Sequence, residues 1–129
     1  MATTDEGITN WLRFAEADMI SAEALHDAGQ DLNSIFHLQQ AVEKTLKALF
    51  LRQTKEEPPR IHGLRKLAER CAIALTAEQS LLLENLSEYY VESRYPGEWR
   101  DVPPEVISSE AERLIPAARE FIQWLRSRV

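Results

Sequence analysis

Apolar residues along the chain recur every three to four positions over five separate stretches, and nowhere alternate as a half-buried strand requires. The clearest stretch runs from Asn33 to Thr54 and holds neither Gly nor Pro. Ile35, Leu38, Val42, Leu46 and Leu49 fall on one side of a helix there, and Ala41 and Ala48 keep that side narrow enough for a neighbouring helix to approach. Ahead of it, Ile8, Leu12, Ala15, Met19 and Ala22 mark a first helix, with Trp11 and Leu25 beside them. That helix is expected to open after Thr4, with Asp5 and Glu6 in its first turn, and to close at Gly29 with His26 in the last turn. Asp31 or Asn33 is the expected cap of the second helix. The short link between the two predicts an antiparallel hairpin.

Pro58 and Pro59 end the second helix. A third begins near His62, with Leu64, Leu67, Ala68, Cys71 and Leu75 facing inward. Thr76 to Gln79 reads as a capping box that opens a fourth helix burying Leu82, Leu86 and Tyr89 or Tyr90. Three prolines and a glycine between Ser93 and Pro104 predict a structured loop. Pro104 then suits the first turn of a fifth helix with Val106, Leu114, Ala118, Phe121 and Leu125 on its core side. Pro116 inside it is expected to kink rather than break it, because the periodicity persists on both sides. The predicted architecture is all-α: four long helices plus a short one, in an up-down, bundle-like arrangement.

At 129 residues the chain is expected to be one domain, 1–129, with a substantial core. A net charge of −6 and a pI near 5.1 argue against a dedicated nucleic-acid binder, so RNA is not the expected partner. The lone Cys71 forms no intramolecular disulfide, the N-terminus has no apolar leader, and no run is long enough to span a membrane. These features predict a soluble, cytoplasmic protein.

The second helix carries a further pattern. His37, Gln40, Lys44 and Lys47 are spaced three, four and three apart and line up as a polar stripe. Such a stripe is most simply a solvated face, with Glu43 and Lys47 paired across one turn, but one His, one Gln and two Lys also suit an anion. Arg94 and Tyr95 in the Pro-rich loop would complete it: Arg grips phosphate bidentately, and Tyr95 or Trp99 stacks on a base. The plain alternatives are an ion pair from Arg94 to Glu43 or Glu92 and packing of Trp99 on the bundle end. Catalytic chemistry is poorly supported. Glu23 and His26 form a single Glu-x-x-His where a di-iron bundle needs two, and no metal or cofactor is implied. There is no nucleophile elbow, Cys–His frame or phosphate loop.

Three blocks together resemble the HEPN domain (higher eukaryotes and prokaryotes nucleotide-binding). They are Phe36 to Phe50, with Gln40-Ala41-x-Glu43-Lys44-x-x-Lys47-Ala48 at its heart; Pro58 to Leu67, where His62-Gly63-Leu64 stands for the usual His-Asp-Leu; and Tyr89 to Pro96, with Ser93-Arg94-Tyr95-Pro96. The resemblance covers nearly the whole chain. It implies a five-helix bundle that commonly forms homodimers, nucleotide binding in some members and RNA cleavage in others. It also implies partnership with a separately encoded minimal nucleotidyltransferase, often as a toxin–antitoxin pair. The nuclease members rely on Arg-x4–6-His in a late helix. That motif is missing, because His62 is the last histidine and none of His26, His37 or His62 has an Arg five to seven residues before it. No catalytic residue is therefore assigned. The expected function is nucleotide or phosphate binding through His37, Gln40, Lys44, Lys47, Arg94 and Tyr95. The alternatives are a dimeric protein-interaction module and, less favoured, a diverged metal-independent endoribonuclease using His37 or His62 with Arg94.

Overall fold

The computed structural model describes residues 3–89, 97 and 102–129. Among the described residues five helices follow one another: α1 (Thr4–Asp27), α2 (Asp31–Thr54), α3 (Leu64–Arg70), α4 (Ala77–Glu88) and α5 (Pro104–Arg126). No strand occurs among the described residues, so the all-α expectation holds.

Local chemistry sets most of the helix ends. Thr3 caps α1 through a capping box with Glu6, one residue earlier than the sequence suggested. Gly29 follows the C-cap with φ +76°, a conformation that favours glycine, and lets the chain reverse at once into α2. Neither Asp31 nor Asn33 caps α2: Gln30 takes that position without a side-chain hydrogen bond. Asp31 instead accepts from Nδ1 of His26 at 2.6 Å and ties the two ends of the turn together. Helix α3 is shorter than its periodicity suggests. It starts at Leu64 and ends at Arg70, with Cys71 as its C-cap and Leu75 beyond it. The Thr76–Gln79 capping box opens α4 as expected, and Pro104 stands in the first turn of α5, with Pro116 inside that helix.

Helix α2 runs through the middle of the bundle. Ile35, Leu38, Ala41, Val42, Leu46 and Ala48 have no solvent exposure. All but Ala48 join Leu64 and Leu67 of α3, Leu83 and Leu86 of α4, and Leu114, Ala118 and Leu125 of α5 in one continuous core. Ala48 packs with Ile8 and Leu51 in a smaller cluster beside it. On α5 the periodicity misplaced one residue: Val106 is 48% exposed, and Ile107 next to it is buried. Pairs across the α1–α2 hairpin step in opposite directions along the two helices. Ser34 Oγ donates to Ala22 O at 2.6 Å near the turn, and Arg52 meets Asp5 at 3.5 Å at the far end. At that far end Gly7 lets α1 approach closely, since a Cβ there would lie 2.9 Å from Leu51 Cδ2. The hairpin is therefore antiparallel.

Candidate functional site

The polar stripe of α2 does not face open solvent. Its two edges run against α1 on one side and the segment leading into α3 on the other, and each edge meets a carboxylate. On the α1 side the carboxylate is Asp18. Its Oδ1 lies 2.9 Å from Nδ1 of His37, and its Oδ2 accepts from Nζ of Lys44 at 2.5 Å. Asp18 is itself only 8% exposed. A carboxylate only accepts hydrogen bonds, so the contact places the His37 proton on Nδ1 and turns Nε2 outward. The side chains of His37 and Lys44 keep 32% and 25% exposure. A ligand approaching from outside can therefore reach both.

The α3 side is drier. Glu43 Oε2 accepts from Nζ of Lys47 at 3.0 Å and lies 3.2 Å from Nδ1 of His62. Gln39 donates to Glu43 Oε1 at 3.4 Å and to the backbone carbonyl of His62 at 3.2 Å. Gln40 donates to Gln39 Oε1 at 2.6 Å. Lys47 is 6% exposed, and its ammonium lies 5.4 Å from the centre of the Trp11 ring, within cation–π range. Among the described residues, no buried side-chain nitrogen or oxygen lacks a hydrogen-bond partner. That matters because a buried polar group left unpaired carries a large desolvation cost.

The two clusters repeat one design: a buried carboxylate holding one histidine and one lysine. Formal charge nearly cancels within each when the imidazoles are neutral. Of the residues singled out from the sequence, His37, Gln40 and Lys44 stand together on the accessible part of the stripe. Lys47 is turned inward behind them. Arg94, Tyr95 and Trp99 lie outside the described residues. The pairing of Arg94 with Glu43 that the sequence allowed is not needed to neutralise Glu43, which already holds Lys47.

The Glu43–Lys47 pair expected from the spacing is present, but Asp18, Gln39 and the contact of His62 with Glu43 were not foreseen. A signal existed for Asp18: it lies at helical spacing between Ala15 and Ala22, an acid inside an apolar stripe, where a buried partner is required. Among the described residues no cluster of three or more His, Cys, Asp or Glu could hold a metal ion. No helix there is long and apolar enough to cross a membrane.

Comparison with known proteins bears on the fold and the family. The crystal structure of TT1696 from Thermus thermophilus superposes with a TM-score of 0.80 at 21% identity, covering 95% of this chain and 98% of that one. At that identity the likeness concerns the fold. A search of curated proteins finds no match. The HEPN domain family matches residues 8–128, a span that includes all of α2 and both carboxylate clusters. The chain belongs to the HEPN domain family.

Proposed function

We propose that this protein binds a phosphate-bearing ligand of the nucleotide class on the accessible face of α2. One observation carries the reading: Asp18 holds His37 and Lys44 side by side, both still open to solvent. Lys44 supplies a fixed positive charge and His37 Nε2 a hydrogen bond, while the amide of Gln40 stands on the same face for sugar or base. When the imidazole is protonated, Asp18, His37 and Lys44 together carry one net positive charge, and His37 becomes a donor towards phosphate. Lys47 contributes from beneath, and Arg94 and Tyr95 belong to the same reading as phosphate and base contacts.

The protein then acts as a cytoplasmic homodimer and as the accessory partner of a separately encoded nucleotidyltransferase, in the manner of a toxin–antitoxin pair. Absence of Arg-x4–6-His supports a binding role over RNA cleavage. Pairing of both lysines with carboxylates favours a second reading, in which the stripe is structural and the protein is an interaction module. Calorimetric titration with ATP, GTP, AMP and a short RNA separates the two. Saturable binding that weakens at least tenfold in Lys44→Ala supports the ligand site. No heat from any member of the panel, with the folded protein, leaves the interaction module.

A further inference from the structure

The Asp18 cluster has the parts of a nucleophilic site as well as those of a binding site. Asp18 accepts the Nδ1 proton of His37 at 2.9 Å, so the unshared electron pair of the ring lies on Nε2, on a side chain that keeps 32% exposure. Phe36 meets the ring edge-on with centroids 5.6 Å apart, and Asp18 is itself buried, so the imidazole is held in one orientation. The other oxygen of the same carboxylate holds Lys44 at 2.5 Å, which keeps 25% exposure. An imidazole oriented by a carboxylate, with an accessible cation beside it, suits attack on phosphorus. The carboxylate steadies the positive charge that the ring gains, and the ammonium steadies the phosphoryl oxygens.

The other two histidines have a carboxylate without that setting. His26 stands in the last turn of α1, where the helix dipole is negative, with Asp27 next to it and Asp31 as its partner, so an anion is repelled there. His62 shares Glu43 with Lys47, but Lys47 is 6% exposed and turned inward, beyond reach of a group bound at the exposed ring. Only the Asp18 cluster, among these three, offers solvent both the imidazole and the ammonium.

We propose that His37 is a phosphoryl acceptor, taking a phosphoryl group on Nε2 from a small activated donor of the phosphoramidate or acyl phosphate class. The Nε2 electron pair forms the new N–P bond as the donor's own bond to phosphorus breaks, and the leaving ammonia or carboxylate departs with that electron pair. The ring keeps its Nδ1 proton and becomes a cation paired with Asp18. No metal and no oxidant or reductant enters the balance. The phosphoryl group draws Lys44 off Asp18 and fills the place of a nucleotide phosphate, so modification and nucleotide binding exclude one another. Asp18 acts here as a positioning residue. The inference rests on the phosphate-binding reading and gives that site a covalent state that regulates it.

The test incubates the intact protein with phosphoramidate and follows it by phosphorus NMR and by peptide mass spectrometry under alkaline conditions, where a histidine N–P bond survives. The expected product is one acid-labile phosphoryl group on Nε2 of His37, and protein so labelled should no longer bind ATP. Lys44→Gln, at a partly exposed position, should slow labelling about tenfold or more in a folded protein. Asp18→Asn can donate to Nδ1 and moves the ring proton to Nε2, so labelling should slow to a similar degree or shift to Nδ1, an outcome that loss of packing alone does not give. Titration with inorganic phosphate runs beside these arms and reads binding alone. A His37 resonance that responds to phosphate while His37 stays unlabelled overturns the inference and leaves the binding reading standing; no response and no label overturns both. Labelling of His26 or His62 as fast as His37, a wild-type product on Nδ1, or a rate indifferent to both substitutions also overturns it.

Discussion

Lys44 and Asp18 stand 26 residues apart in the chain, and their side chains meet across the α1–α2 hairpin with Nζ 2.5 Å from Oδ2. Three residues further along α2, Lys47 is held in the same way by Glu43, but in a drier place. The difference in exposure is enough to separate the two pairs energetically. Removing one member of a buried pair costs about 3–5 kcal/mol, because the other is left charged without a partner. A partly exposed ammonium swings into water instead, and such pairs contribute about 1 kcal/mol or less.

Glu43→Ala should therefore destabilise the protein by about 3 kcal/mol or more, since Lys47 has little access to solvent and Gln39 and His62 lose an acceptor as well. Asp18→Ala should cost less, by about 2 kcal/mol, because Lys44 and His37 can reach solvent. Urea unfolding at pH 7 reads both. Equal costs would mean that the two clusters are equally dry, contrary to the geometry.

Cys71 gives a prediction in pH. Burial at the end of α3 pushes its thiol up from 9.0 to about 11. Between those values the unfolded chain releases this proton and the folded one keeps it, so the unfolded state is favoured as pH rises. The contribution of Cys71 is present in full below pH 9 and is lost from there to about 11, at up to about 1.4 kcal/mol per pH unit. The stability of wild type should therefore fall more steeply over that range than that of Cys71→Ala, as denaturation curves at successive pH values will show. The same burial should leave the folded thiol slow towards alkylating reagents at pH 8.

Ala72 follows α3 with φ +52°, a left-handed conformation that a Cβ disfavours. Ala72→Gly should stabilise the fold by up to about 1 kcal/mol, visible as a raised thermal midpoint, because this position lies outside helix interiors and the glycine relieves the strain.

Much of the fold was legible in the residues. Apolar steps of three and four marked each of the five described helices, and the apolar side of α2 was correctly picked out, since Ile35, Leu38, Val42, Leu46 and Leu49 all sit in the core. Thr76 with Gln79 and Gly29 marked helix ends because their chemistry is local. The errors arose where tertiary contact overrides local preference. Asp31 was a reasonable cap by type, yet it is taken by His26, and α3 ends at Arg70, short of the Leu75 that the periodicity included. The stripe of His37, Gln40, Lys44 and Lys47 was visible as a pattern, but its setting was not. Periodicity tells which residues share a face of one helix and says nothing of what another helix brings to it. Asp18, nineteen residues before His37, shows its odd placement within α1 in the sequence, but its partners were beyond reach of spacing alone.

The most direct test of the phosphate site is histidine-selective NMR, following the three imidazoles during titration with ATP at constant pH. His37 sits on the proposed site, and His26 at the α1–α2 turn, bound to Asp31, serves as an internal reference. Binding at this site should give a saturable shift of the His37 ring resonances, with His26 unmoved, and its loss in Lys44→Ala protein that keeps the wild-type fold. An unchanged His37 at saturating ATP, or a shift that survives Lys44→Ala unaltered, would contradict it.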